Sequence, residues 1–277
     1  MTHIITCEQL KRLQANDEVT IVDVRFHLQQ SHLGKELYDK AHIPGAFFLD
    51  INKDLSGKVG QHGGNHPLPN IDQLANKLGS IGIHLDRKVV IYDDADGMFA
   101  ARARWLLNYI GHKQSMILEG GYQAWIDLGY RVTDEVPQVE PGVFTAETTP
   151  NEVATMEEVK KRDPTKSVLI DSRAFARYIG EEEPLYKKAG HIPGARNYFW
   201  QDVLTDDNKW KDEVALKEQF KALTDAEEII VSCGSGISAC PNIIALKRAG
   251  FTNVKLYPGS FSDWISYDEN GVTKGVE

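Results

Sequence analysis

The chain repeats itself once, and that repeat limits its architecture more than any other feature. Ile21-Val22-Asp23-Val24-Arg25 returns as Leu169-Ile170-Asp171-Ser172-Arg173, and His42-Ile43-Pro44-Gly45-Ala46 returns unchanged as His191-Ile192-Pro193-Gly194-Ala195. Val89-Val90-Ile91-Tyr92 parallels Ile229-Ile230-Val231-Ser232. Gly120 and Gly259 each precede a tryptophan, Trp125 and Trp264, by five residues. Chance can supply one matching pentapeptide, but not four matches in the same order. The period is too long for a solenoid, so the 277 residues read as a duplicated domain. The first half carries an extra loop, Gly57 to Pro69. Thr133 to Asn151 holds Pro137, Pro141 and Pro150 without apolar periodicity, the pattern of a linker. The expected division is 1–136, a linker at 137–150, and 151–277.

Each half has the same grammar. Short β-branched runs, Val19 to Val24 and Val168 to Ile170, end in Asp-x-Arg; Val89 to Tyr92 and Glu228 to Ser232 are second runs of this kind. Apolar runs of this length suit strands buried on both faces. A helical segment follows each second run, Met98 to Ile110 and Ile237 to Ala249, the latter stopped by Gly250. Ser115 to Leu118 and Asn253 to Tyr257 are again short strands. Strands alternating with helices predict an α/β fold, a parallel sheet in each half with helices on both faces. The net charge of −9 argues against wrapping a nucleic acid. No apolar run approaches the ~20 residues of a membrane span, and Met1 to Leu10 lacks the pattern of a signal peptide. Three cysteines, Cys7, Cys233 and Cys240, cannot build a disulfide framework, which fits a reducing, cytoplasmic setting.

One segment carries specific chemistry. Residues 229–240 read Ile-Ile-Val-Ser-Cys-Gly-Ser-Gly-Ile-Ser-Ala-Cys. Cys233 stands at the carboxyl end of a buried strand, the edge where open α/β sheets bind ligands. Gly234 and Gly236 let the backbone curl so that successive N–H groups converge, and the following helix adds its N-terminal donors. Both effects favour thiolate over thiol. A buried cysteine that only packs is the plain alternative. Against it, alignment of the halves puts Asp93 opposite Cys233, a costly exchange for a packing residue. Cys240 faces the core by periodicity.

With these residues in place, the sequence resembles the tandem-rhodanese sulfurtransferases along nearly its whole length. The likeness lies in the paired His-Ile-Pro-Gly-Ala segments, the Asp-x-Arg strand ends, Gly259-Ser-Phe-Ser-Asp-Trp264 and the Cys233-Gly-Ser-Gly-Ile-Ser238 loop. The resemblance implies two rhodanese-like α/β domains with the active cysteine in the second. It implies sulfur transfer through a Cys233 persulfide, a small-molecule sulfur donor, a thiol acceptor such as thioredoxin or, in the test tube, cyanide, and no metal or organic cofactor. The loop is similar to that of enzymes using 3-mercaptopyruvate; thiosulfate-preferring members carry basic residues where Gly234 and Ser235 stand. Gly234, Gly236, Ile237 and Ser238 are the expected substrate-binding loop. Arg177, ahead of Tyr178 and Gly180, matches the family's first carboxylate-binding arginine. The second, nine residues on, is replaced by Tyr186, with Lys187 and Lys188 beside it.

The resemblance also implies that Ser235 acts with a histidine of the first half, and motif position makes that histidine His42. His191 occupies the identical motif, so a turn-stabilising role for both explains them without chemistry. Two rival classes fit less well. A thiolate phosphatase needs an arginine six residues after the cysteine, where this chain has Ala239. A regulatory rhodanese-like module that only binds partners does not need its cysteine, and Cys233 is present in an intact glycine loop.

Overall fold

The structure is a computed structural model, and it describes residues 3–276. Its residues divide into two units: 1–57 with 68–149, and 58–67 with 150–277. Unit 1 contains strands β1 (Ile4–Ile5), β2 (Val19–Asp23), β3 (Ala46–Phe48), β4 (Lys88–Tyr92) and β5 (Ser115–Leu118). Its helices are α1 (Cys7–Ala15), α2 (Leu33–Lys40), α3 (Ile71–Ser80), α4 (Met98–Tyr109) and α5 (Gly121–Asp127). Unit 2 contains β6 (Ser167–Asp171), β7 (Ala195–Asn197), β8 (Glu228–Ser232) and β9 (Val254–Leu256), with α6 (Met156–Lys161), α7 (Phe175–Ile179), α8 (Glu213–Gln219), α9 (Ala239–Arg248) and α10 (Ser260–Trp264).

Both sheets are parallel throughout, in the orders β1-β5-β4-β2-β3 and β7-β6-β8-β9. The second sheet keeps a remnant of the first sheet's edge strand as a single parallel bridge from Val153 to Leu256. The expected α/β class with paired parallel sheets is therefore what the chain adopts. β2 is buried at every position, as a strand covered on both faces must be. Helix entry is set locally: Thr6 and Thr155 each form a capping box, with Gln9 and Glu158.

The repeated motifs do the same physical work twice. Asp23 accepts the Arg25 backbone N–H at 2.9 Å and the Arg25 guanidinium at 2.7 Å, and that guanidinium also donates to the Ala41 carbonyl. Asp171 and Arg173 repeat this at 2.9 and 2.6 Å, with Gly190 as the carbonyl. All four side chains are buried. His42 stacks on Tyr38 and bonds through Nδ1 to the Tyr38 carbonyl at 2.7 Å; His191 stacks on Tyr178 and bonds to its carbonyl at 2.8 Å. Trp125 and Trp264 anchor the two apolar cores, and each indole donates to a nearby carbonyl.

Two segments differ from the expected division. The stretch 137–150 is not a loose tether up to Thr149. Gly142 donates to Gly79, Glu147 to Ile110 and Thr149 to Tyr109, and Phe144 is buried, so it packs as part of unit 1. The second is Lys58–Pro67, inside the extra loop of the first half, which belongs with unit 2. Proline content marked the first as irregular, but irregular backbone can still be bonded and packed. No helix among the described residues is long and apolar enough to cross a membrane.

The strand-end pairs serve the fold, so both should matter equally. Asp23→Ala and Asp171→Ala each leave a buried guanidinium uncompensated and should each cost about 3–5 kcal/mol. Urea unfolding followed by tryptophan fluorescence measures this. A loss confined to Asp171→Ala would show that the pair serves only the cysteine half.

Candidate active site

β8 delivers Cys233 to the carboxyl edge of the second sheet, and α9 begins six residues later. Between them the backbone turns sharply at Gly236, which has φ +81°. A side chain there would be strained, and its Cβ would lie 2.3 Å from the Pro258 carbonyl oxygen. This turn aims the Gly236 N–H at Cys233 Sγ, 3.1 Å away. The loop is also tied from behind. Cys233 and Gly234 carbonyls accept the N–H groups of Phe261 and Ser262 at 3.0 and 2.9 Å. The Cys233 N–H donates to Ser260 Oγ at 3.0 Å, and the Ser260 hydroxyl donates to the Tyr257 carbonyl. Ser260 pays for this with φ +53°, an uncommon conformation for a residue other than glycine.

Cys233, Ser235 and Ile237 are buried, while Ser238 is half-buried at the start of α9 without a side-chain capping bond. Cys240 lies inside α9, fully buried, its Sγ against the Gly236 carbonyl at 3.4 Å. Of the loop positions expected to meet the substrate, Gly236 is the one whose N–H reaches the Cys233 sulfur.

The expected histidine is a different matter. His42 is fully buried in unit 1, with its two ring nitrogens facing the carbonyls of Tyr38 and Glu135 at 2.7 and 3.2 Å. The histidine beside Ser235 is His66, whose Nδ1 lies 2.8 Å from Ser235 Oγ. Motif position in the resembled family points to His42, while its twin His191 offers a turn-stabilising alternative. That twin makes the same stack and carbonyl contact at the equivalent turn. His66 sits on the 58–67 segment, which is fixed within unit 2 by several bonds. Gly63 N–H donates to Asp263 at 2.6 Å, Asn65 N–H to Ser262 at 3.1 Å, and His62 stacks on Tyr267 while bonding Ser266. The clue available in the sequence was that this loop has no counterpart in the second half.

Arg177 is not an isolated cation. Its guanidinium bonds both oxygens of the buried Glu183, at 2.8 and 3.0 Å, and Glu183 also receives Arg173 at 3.1 Å. Arg173 is thus paired with both Asp171 and Glu183. The Tyr186 ring packs edge-on to Phe261, with Arg177 5.4 Å from the ring centre. Lys187 is exposed and Lys188 half-buried.

The sister loop of unit 1 shows what such a turn accommodates. Asp93 follows β4 as Cys233 follows β8, and its carbonyl accepts the Tyr122 N–H as that of Cys233 accepts the N–H of Phe261. The fully buried Asp93 carboxylate accepts three N–H groups, from Ala95, Gly97 and Ala100, at 2.8–3.0 Å. Burial still outweighs these bonds and pushes its carboxyl up to about 6.

Comparison with known proteins gives the family in both halves. The family model described as Rhodanese-like domain matches residues 6–128 and again 155–267. The chain is 37% identical over 280 residues to a Pseudomonas aeruginosa protein named "Probable 3-mercaptopyruvate sulfurtransferase", covering 98% of each. It is 29% identical to the rat protein named "Thiosulfate sulfurtransferase", covering 93% of this chain and 89% of that one. Among solved structures it is similar to SseA from Escherichia coli, titled as a 3-mercaptopyruvate sulfotransferase of "Rhodanese" fold. The TM-score there is 0.80 at 29% identity, over 95% of this chain and all of that one.

Asp93 should be protonated more readily in the fold than in the unfolded chain. Its contribution to stability is therefore greatest below pH 4 and declines by about 3 kcal/mol as pH rises through 6. Carbon-13 titration of the aspartate carboxyls should find one midpoint near 6, absent from Asp93→Ser. An Asp93 midpoint below 4 would reverse the sign.

Proposed function

Because the chain belongs to the rhodanese-like domain family in both halves, we propose that it is a sulfurtransferase taking sulfur from 3-mercaptopyruvate through a persulfide on Cys233. The observation that carries this reading is the Gly236 N–H directed at Cys233 Sγ at 3.1 Å, in a glycine turn that leads into α9. A thiolate there gains a charge-assisted hydrogen bond from Gly236, and a persulfide forming on it keeps that donor nearby.

The reaction follows from those groups. Cys233 sulfur attacks the donor's sulfur, forming an S–S bond. The C–S bond breaks, and its electron pair leaves on C3 as the pyruvate enolate. The donor's thiol proton is transferred to that carbon, completing pyruvate. Ser235 and His66, 2.8 Å apart, are the pair suited to carry that proton and to hold the donor's carbonyl. An acceptor thiolate, of which a thioredoxin-type dithiol is the expected class, then attacks the outer sulfur, and the electron pair of the broken S–S bond returns to Cys233. Arg177 offers the donor carboxylate a contact shared with Glu183. Gly234, Gly236, Ile237 and Ser238 provide the loop wall. Three free cysteines and a persulfide intermediate suit a reducing compartment such as the cytoplasm.

Thiosulfate is the second donor to test, because relatives bearing that name match almost the same span. Mercaptopyruvate should exceed it in kcat/KM by about tenfold or more, since Gly234 and Ser235 bring no fixed charge for a dianion. A preference for thiosulfate would make it the main donor.

Cys233→Ser should lose all turnover, with no mass increment of one sulfur after donor treatment, while Cys240→Ser stays active. His66→Ala should lower kcat by about 10²–10⁴. His42→Ala should leave kcat near the parent value and instead lower the unfolding free energy by ~2 kcal/mol. The opposite pattern between the two histidines would return the chemistry to His42.

A further inference from the structure

Asp263 is a buried acid at a place where the sister half carries none. Gly259-Ser-Phe-Ser-Asp-Trp264 aligns with Gly120-Gly-Tyr-Gln-Ala-Trp125, so Asp263 stands at the position of Ala124. Two residues before the glycine, Tyr257 stands at the position of Leu118. In unit 1 both side chains are apolar and pack into the core around Trp125. In unit 2 both are buried and bonded to each other, the Tyr257 hydroxyl donating to Asp263 Oδ2 at 2.6 Å. Burial and the Asp263 charge hold that phenol well above its ordinary range, so it stays a donor. Taking a carboxylate out of water is costly, and unit 1 closes the equivalent core with leucine and alanine instead.

The other carboxylate oxygen shows what the acid serves. Asp263 Oδ1 accepts the Gly63 N–H at 2.6 Å, a charge-assisted bond to the 58–67 segment. Gly64 follows at φ +78°, and a Cβ there would lie 2.4 Å from the Gly259 carbonyl oxygen, so backbone rests directly on backbone. Asn65 N–H then donates to Ser262 Oγ at 3.1 Å, and His66 Nδ1 lies 2.8 Å from Ser235 Oγ. The segment contains no helix or strand, so contacts of this kind set its position.

We propose that Asp263 is a positioning residue for the Ser235–His66 pair: oriented by Tyr257, its carboxylate clamps the 58–67 segment at Gly63 and thereby holds His66 against Ser235. This rests on the reading of that pair as the proton carrier in sulfur transfer and adds the group that assembles it.

Two readouts keep the clamp apart from that reading. Modification by diethyl pyrocarbonate, followed by mass on the His66 peptide, reports how firmly the buried imidazole is held and needs no turnover. Asp263→Ala should raise the His66 modification rate about tenfold or more, while that of His42 in unit 1 stays at the parent value. Tyr257→Phe keeps the ring and removes only the bond that orients the carboxylate. It should raise the His66 rate about threefold, and it replaces the alanine variant if that protein does not fold. The second readout is a double-mutant cycle. Alone, Asp263→Ala should lower kcat for mercaptopyruvate about tenfold or more; added to His66→Ala, it should lower the residual kcat by less than about twofold, because it acts through His66. A His66 rate at the parent value in the folded variant overturns the proposal. So does an equal loss of kcat in both backgrounds, which would place the effect of Asp263 on the Cys233 loop. If the His66 rate rises as expected while His66→Ala keeps the parent kcat, the clamp stands and the reading of His66 as proton carrier fails.

Discussion

The Cys233 loop depends on main-chain bonds that come from behind it. The carbonyls of Cys233 and Gly234 accept the N–H groups of Phe261 and Ser262, and this fixes which way the next amides point. Only with that anchoring can Gly236 turn at φ +81° and present its N–H to the sulfur. A loop held only by its own residues would let water satisfy those amides. The first turn of α10 is therefore as much a part of the site as the cysteine. The same short helix holds the 58–67 segment through Ser262 and Asp263. One structural element thus orients the thiol from below and brings His66 to Ser235.

The duplication gives an internal comparison for that arrangement. In unit 1 the equivalent turn closes on Asp93, whose carboxylate takes up three N–H donors that no outside anion can then use. The architecture of strand, turn and helix N-terminus survives there, with its acceptor built into the chain. In unit 2 the residue at that place carries a single sulfur, which is smaller as an acceptor and able to form a bond that breaks again. The two halves share a turn of converging backbone N–H groups, and the side chain at its first residue is what distinguishes them.

Much of the fold was legible in the sequence because buried parallel strands are short, apolar and bounded by sharp breaks. The runs at Val89–Tyr92 and Glu228–Ser232 appear as β4 and β8 to within a residue. The two helices after them are likewise present. The short edge strands β3 and β7 carry too few residues to show a period, and they exist because their neighbours pair with them. The candidate site was legible where chemistry and backbone demand coincide, at Cys233, Gly234 and Gly236. It was illegible where a residue arrives from far along the chain: His66 precedes Ser235 by 169 positions, and no local pattern joins them. Motif position pointed to His42, whose recurrence as His191 accompanies a shared turn. Tyr186 could be noticed only as a missing arginine; its contact with the loop is a tertiary fact.

Ser260 shows how the chain balances such demands. The position matches Gly121 of unit 1, where φ +58° suits glycine. A serine held at φ +53° costs on the order of 1–2 kcal/mol in backbone strain. Its hydroxyl returns a comparable amount, because the Cys233 N–H is buried and an unpaired buried donor costs about 1–3 kcal/mol. The net effect on stability is close to neutral, so stability alone does not favour serine over glycine. What serine adds is direction: with its N–H bonded to Ser260 and its carbonyl to Phe261, the Cys233 backbone is fixed at both ends. The sulfur then has few orientations available, and the one it takes faces Gly236. Strain at one residue is thus converted into the alignment of the neighbouring thiol with its hydrogen-bond donor.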